Sequence, residues 1–134
     1  MRAFSDPAMS FADGGPRRTG SRRCTTDKER VIAVIPVSNT CVVTSGDYER
    51  FFEVDGQRYH HILDPRTGRP SRGCMSATVM APDAALADAL ATSLCVLGPT
   101  KARALIERLP RVEALVVDME GAVHASTGLR PRVR

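Results

Sequence analysis

The sequence predicts an α+β fold, a mostly antiparallel sheet with two helices packed on one face. Three observations carry that prediction. Short β-branched runs separated by turn residues fill the stretch from Val31 to Ala81. One long segment from Asp83 repeats its leucines at helical spacing. Two further strand-like runs close the chain, giving the order β-β-β-β-β-α-α-β-β.

Val31-Ile32-Ala33-Val34-Ile35-Pro36-Val37 and Cys41-Val42-Val43-Thr44-Ser45 suit strands, with Ser38-Asn39-Thr40 as the turn between them. Phe51–Val54 and Gln57–Ile62 flank Asp55-Gly56, the dipeptide that closes two-residue hairpins. Asp64-Pro65-Arg66-Thr67 reads as a type I turn: the aspartate bonds its own backbone, proline fixes φ, and Gly68 eases the exit. Met75–Ala81 is a further strand. Asp83 caps a helix to about Leu97, with Leu86, Leu90, Leu94 and Leu97 along its core stripe and Gly98-Pro99 as the stop. Thr100 opens a second helix through Leu109, ended by Pro110. Val112–Asp118 and Ala122–Ala125 form a last hairpin turning at Met119-Glu120-Gly121.

Residues 1–30 are rich in Gly, Pro, Ser and Arg and carry no period, so they are expected to be irregular or disordered. Residues 31–129 form the folded region and 130–134 a basic tail. The net charge of +4 is unevenly placed: +3 in residues 1–30, +3 in 130–134 and −2 between them. Without a basic face on the folded part, and with aromatics at 4% and no Trp, nucleic acid is not an expected partner. No apolar run approaches the roughly 18 residues of a membrane helix, so no transmembrane segment is expected. No export signal is legible at the N-terminus, and the compartment stays open. The four cysteines lack Cys-x-x-Cys spacing, which argues against a zinc ribbon or a disulfide framework. Cys41 and Cys95 read as small buried hydrophobes.

Chemistry concentrates in two places. Asp88 and Thr92 lie one helical turn apart among Ala84, Ala87, Ala89 and Ala91, so their oxygens share a face that a ligand can approach closely. Such a pair suits Mg²⁺, which takes few protein oxygens and keeps waters or substrate phosphates. The competing account is an exposed aspartate near a threonine bonded back to a helical carbonyl. His60 and His61 alternate across their strand, so His61 shares a side with Tyr59 and Leu63, next to the Asp64 turn. An imidazole beside a carboxylate can hold a proton near neutral pH; a purely structural histidine is the alternative. His124 is read as structural. Thr44-Ser45-Gly46-Asp47-Tyr48 ends a strand with small residues that let backbone amides approach an anion, or forms a plain turn.

Four ordered blocks resemble the ApbE family of flavin transferases (FAD:protein FMN transferases). They are Thr44–Tyr48, Tyr59–Gly68, Ser76–Pro82 and Ala87–Thr92 with Val96-Leu97-Gly98. The resemblance runs from about Val31 to Leu129 and implies that this region is part of a larger ApbE-like fold. It implies Mg²⁺-dependent cleavage of FAD, transfer of FMN to a threonine hydroxyl of a target protein, and release of AMP. It also implies Asp88 and Thr92 as metal ligands, His61 as the catalytic histidine and Ile62 as a contact to FAD. Ala91 stands where some family members carry another acidic residue. The family's glycine-rich N-terminal segment is not found, so the chain is expected to be truncated and its flavin pocket half built. A complementary N-terminal chain is then an expected partner beside FAD and the target protein. The alternative is an inactive remnant or interaction module with residual nucleotide binding.

Overall fold

The computed structural model describes residues 17–22, 31–48 and 50–129. Its elements are β1 (Arg17–Arg22), β2 (Val31–Val37), β3 (Cys41–Gly46), β4 (Phe51–Val54), β5 (Gln57–His60), β6 (Leu63–Asp64), β7 (Arg69–Pro70), β8 (Ser76–Ala81), α1 (Ala84–Ile106), β9 (Glu113–Val117) and β10 (Val123–Ala125). The α+β class and the antiparallel sheet are as expected.

The central sheet has the order β10-β9-β8-β3, every neighbour antiparallel. Alternation along each strand divides its side chains between two layers. Val43, Ala77, Val79, Ala81, Ala114 and Val116 face α1. Val42, Met80, Leu115 and Val117 face the other way and are covered by Ala33, Ile35 and Val37 of β2. All six residues of β8 are therefore buried. The hydroxyls Thr44 and Thr78 meet across β3 and β8 at 2.8 Å, which keeps a polar pair satisfied inside the sheet.

The expectation of an irregular residue 1–30 segment needs correction at Arg17–Arg22. This strand pairs antiparallel with β2, Thr19 opposite Ile35. Local composition gave no strand signal there; the pairing with the β-branched β2 supplies it. The rest of residues 1–30, and the basic tail 130–134, lie outside the described residues.

Two helices were expected and one helical element is found. Asp83 caps it as predicted, its side chain accepting from the Leu86 amide at 2.8 Å. Gly98, at φ 74 and ψ 168, breaks the helical geometry inside the element, and Pro99 restarts it without an intervening loop. The element ends at Ile106 rather than Leu109. The main chain of Gly73 packs against the break. Gly73 runs so close to the helix that a Cβ there would stand 2.3 Å from the Cys95 carbonyl oxygen.

The buried stripe of α1 also differs from the leucine stripe expected. Ala87, Ala91, Leu94, Cys95, Gly98, Ala102 and Ile106 are buried, while Leu86 and Leu97 are exposed. Small residues let the helix lie close on the sheet, and that close approach outweighs the larger hydrophobic area of the leucine face.

The Asp55-Gly56 hairpin forms as predicted, with φ of 50° and 74° at the turn. It projects as its own two-stranded sheet, and all four β4 residues are exposed.

Candidate functional site

Asp88 and Thr92 stand exposed on α1, beside the buried Ala87 and Ala91. Strand β3 delivers a third oxygen. Ser45 lies on the α1 side of the sheet, and its hydroxyl shares a 3.2 Å hydrogen bond with the Thr92 hydroxyl. The Cys95 thiol donates to the Ser45 carbonyl at 3.4 Å, fixing the strand end against the helix. Asp88, Thr92 and Ser45 thus offer one carboxylate and two hydroxyls, all hard oxygen donors. That donor set fits Mg²⁺ better than a soft or nitrogen-seeking metal. Among the described residues no three His, Cys, Asp or Glu side chains gather in a metal-binding group.

His61 is exposed just beyond β5. Its amide donates to the Arg50 carbonyl at 3.1 Å, and its Nδ1 lies 3.3 Å from the same oxygen. A carbonyl can only accept, so this contact selects the tautomer with the proton on Nδ1. Nε2 is then the proton-accepting nitrogen. The expected Asp64 partner is engaged elsewhere. Its carboxylate takes Arg66 Nη2 at 2.7 Å, Arg66 Nε at 3.0 Å and the Arg66 amide at 2.9 Å. Those bonds from Arg66 hold the Asp64 carboxyl at about 2, below its ordinary 3.8. Asp64 therefore builds the turn and holds no proton for His61 near neutral pH.

Ile62 is 4% exposed, in the same cluster as Val43, Ala87 and Ala91. That burial ties the segment bearing His61 to the helix bearing Asp88 and Thr92. With its side chain in the core, Ile62 has its main chain, and not its side chain, to present to a ligand; its carbonyl already accepts from the Ser71 amide at 2.9 Å.

Sequence reasoning missed two features. One is Ser45 as the neighbour of Thr92; the alternation of β3, with Val43 pointing inward, was the signal that could have found it. The other is a cavity of about 920 Å³ between the β4–β5 hairpin and the β6–β7 turn. Its lining includes Asp47, Tyr59, His60, Arg69, Ser71 and Arg72, and none of Asp88, Thr92, His61 or Ile62 is among its described lining residues. His60 sits at its edge with Nε2 2.8 Å from the Ser71 carbonyl. The Cys74 thiol is pushed up by its hydrogen bond to Cys95 and by burial, so it stays protonated. His124 is structural, bonded through Nε2 to Asp118 at 2.7 Å.

Among the described residues no helix is long and apolar enough to cross a membrane. The chain is 50% identical over 102 residues to an FAD:protein FMN transferase of Treponema pallidum (strain Nichols), covering 75% of this chain and 28% of that protein. It is 41% identical over 97 residues to the FAD:protein FMN transferase of Escherichia coli (strain K12), covering 72% of this chain and 28% of that one. Its fold is similar to the crystal structure of the ApbE protein from Thermotoga maritima, with a TM-score of 0.77 and 40% identity over 89% of this chain and 38% of that one. It is also similar to the flavin transferase ApbE from Vibrio cholerae, at a TM-score of 0.69 and 32% identity. The chain thus spans between a quarter and two fifths of the length of these relatives. The family's sequence profile matches residues 8–116, reaching well into the segment before Val31 that was expected to lie outside the resemblance. With most of its length matched by that profile, the chain belongs to the ApbE family.

Proposed function

We propose that this chain carries the cation-and-histidine part of an FAD:protein FMN transferase. In that reaction FAD is cleaved at its pyrophosphate, FMN passes to a threonine hydroxyl of a target protein, and AMP leaves. The observation that carries the reading is the oxygen set on α1 and β3: Asp88 and Thr92 one turn apart, with Ser45 3.2 Å from Thr92. Relatives named for this activity align over most of the chain.

Asp88 and Thr92 would hold Mg²⁺ with Ser45 alongside, and the cation, when bound, offsets the charge that builds on the phosphoryl oxygens. The threonine oxygen attacks the FMN phosphorus as the bond from that phosphorus to the bridging oxygen breaks. His61 receives the hydroxyl proton at Nε2, its Nδ1 proton held by the Arg50 carbonyl. Ile62 anchors this histidine from the core and meets FAD through its main chain. Because the chain spans a fraction of its relatives' length, the rest of the flavin pocket is assigned to the part of those proteins that this sequence does not cover.

Isothermal titration of the chain with FAD, with and without Mg²⁺, tests the reading. Binding that needs the cation, and weakens about 100-fold in Asp88→Ala, is the expected result. FAD binding that is indifferent to both Mg²⁺ and Asp88 would sink it.

A further inference from the structure

The break at Gly98-Pro99 leaves one helical acceptor without its donor. In an α-helix the carbonyl of residue i takes the N–H of residue i+4, and Pro99 has no N–H to give Cys95. A buried carbonyl needs a partner from elsewhere. Ser71 supplies it: its hydroxyl donates to the Cys95 carbonyl at 3.0 Å, a buried bond spanning 24 positions. The Cys74 thiol points to the neighbouring Leu94 carbonyl at 4.0 Å, and the Gly73 main chain packs against the same turn.

Ser71 is itself 4% exposed, and all of its polar groups are engaged. Its amide donates to the Ile62 carbonyl at 2.9 Å. Its carbonyl lies 2.8 Å from His60 Nε2, and since a carbonyl only accepts, the imidazole donates. His60 and Ile62 flank His61. One residue therefore grips both neighbours of that histidine and, through its hydroxyl, the helix that carries the oxygen pair. Cys95 stands one turn beyond Thr92 and two beyond Asp88 on α1. The apolar cluster shared by Ile62, Ala87 and Ala91 draws the two elements together, but apolar attraction has no direction. A hydrogen bond prefers one distance and angle, so Ser71 sets how the elements are aligned.

We infer that Ser71 is a positioning residue, which holds the His61 imidazole in a set place relative to the cation pair Asp88 and Thr92. This rests on the transferase reading for what that pair and that imidazole do. Cation binding and the alignment that Ser71 maintains give separate signals, so the two can fail separately.

The test uses the 134-residue chain with Mn²⁺ in place of Mg²⁺, and follows the paramagnetic broadening of the His61 ring protons by NMR. His61→Gln identifies those signals among the three histidines. Mn²⁺ should bind in a manner lost in Asp88→Ala, and should broaden the His61 ring. In Ser71→Ala the Mn²⁺ affinity should be retained while the broadening falls about three-fold, since the effect drops with the sixth power of distance and an unsupported side chain strays by about an ångström. Ser71→Cys keeps a weaker donor and should fall between the two, and it is read instead if Ser71→Ala does not fold. Ile106→Val weakens the buried end of α1 away from the Ser71 bonds and should leave the broadening unchanged. Three results overturn the inference and leave the cation site standing: Asp88-dependent binding that never broadens His61, broadening in the Ser71 variant equal to that of the unsubstituted chain, or an equal fall in Ile106→Val. Mn²⁺ that does not bind, or that binds without Asp88, removes the cation reading and this inference with it.

Discussion

Strands β8 and β4 were equally legible in the sequence, yet they stand at opposite extremes of the fold. Each is a short apolar run beside a recognisable turn. All six residues of β8 are buried, between α1 on one face and β2 on the other. All four residues of β4 are exposed, with Phe52 at 63% stacked on Tyr59 at a ring separation of 5.3 Å. Local sequence makes both strands, but only layers above and below make a core. The segment between these regimes, His61-Ile62, takes something from each. Ile62 is fixed by the core while His61 is exposed to solvent.

The largest effect should come from the core side of this contrast. Leu94 is fully buried at the contact of α1 with the sheet. Leu94→Ala should cost about 2–5 kcal/mol, read as a large fall in the thermal midpoint. A loss below about 1 kcal/mol would mean that the helix–sheet layer is not the stabilising centre.

Asp64 tests the turn that joins the two regimes. Its folded carboxyl is held at about 2 against an ordinary 3.8. Ionised Asp64 therefore favours the folded state above the higher value, and that contribution disappears as pH falls through the lower one. Stability of the chain should decline between pH about 4 and about 2, and Asp64→Asn should flatten that part of the curve. An unchanged acid limb in the variant would show that the Arg66 bonds contribute nothing to folding.

The smallest effect belongs to the exposed hairpin. Phe52→Ser removes a solvent-exposed ring and should shift stability by no more than about 0.5 kcal/mol in urea titration. A larger loss would reveal that the hairpin is covered in solution, as by a second copy or a partner, and would dissolve the contrast.

Much of the candidate site was readable because it is written in short-range spacing. Asp88 and Thr92 share a face by helical period alone, and Asp83 caps that helix by its own side chain. The turns at Asp55-Gly56 and Asp64–Thr67 follow from residues that tolerate or fix particular dihedrals. The expected pairing of His61 with Asp64 was not realised, because Arg66, two residues from Asp64, competes for the same carboxylate at shorter range. The leucine stripe was misassigned since periodicity gives a helix two candidate faces, and only the sheet it meets selects between them.

The sequence by itself determined family membership, most of the strand and turn order after Val31, and the placing of Asp88 and Thr92 on one face of a helix, all features fixed by local chemistry within a few residues. Tertiary structure alone decided the rest: that Ser45 reaches Thr92 from 47 positions away, that Arg17–Arg22 becomes a strand, and that the small-residue face of α1 rather than its leucine face meets the sheet. Each of these depends on which surfaces come together, and contacts between distant residues are chosen by the packing of whole layers, which no short window of sequence contains.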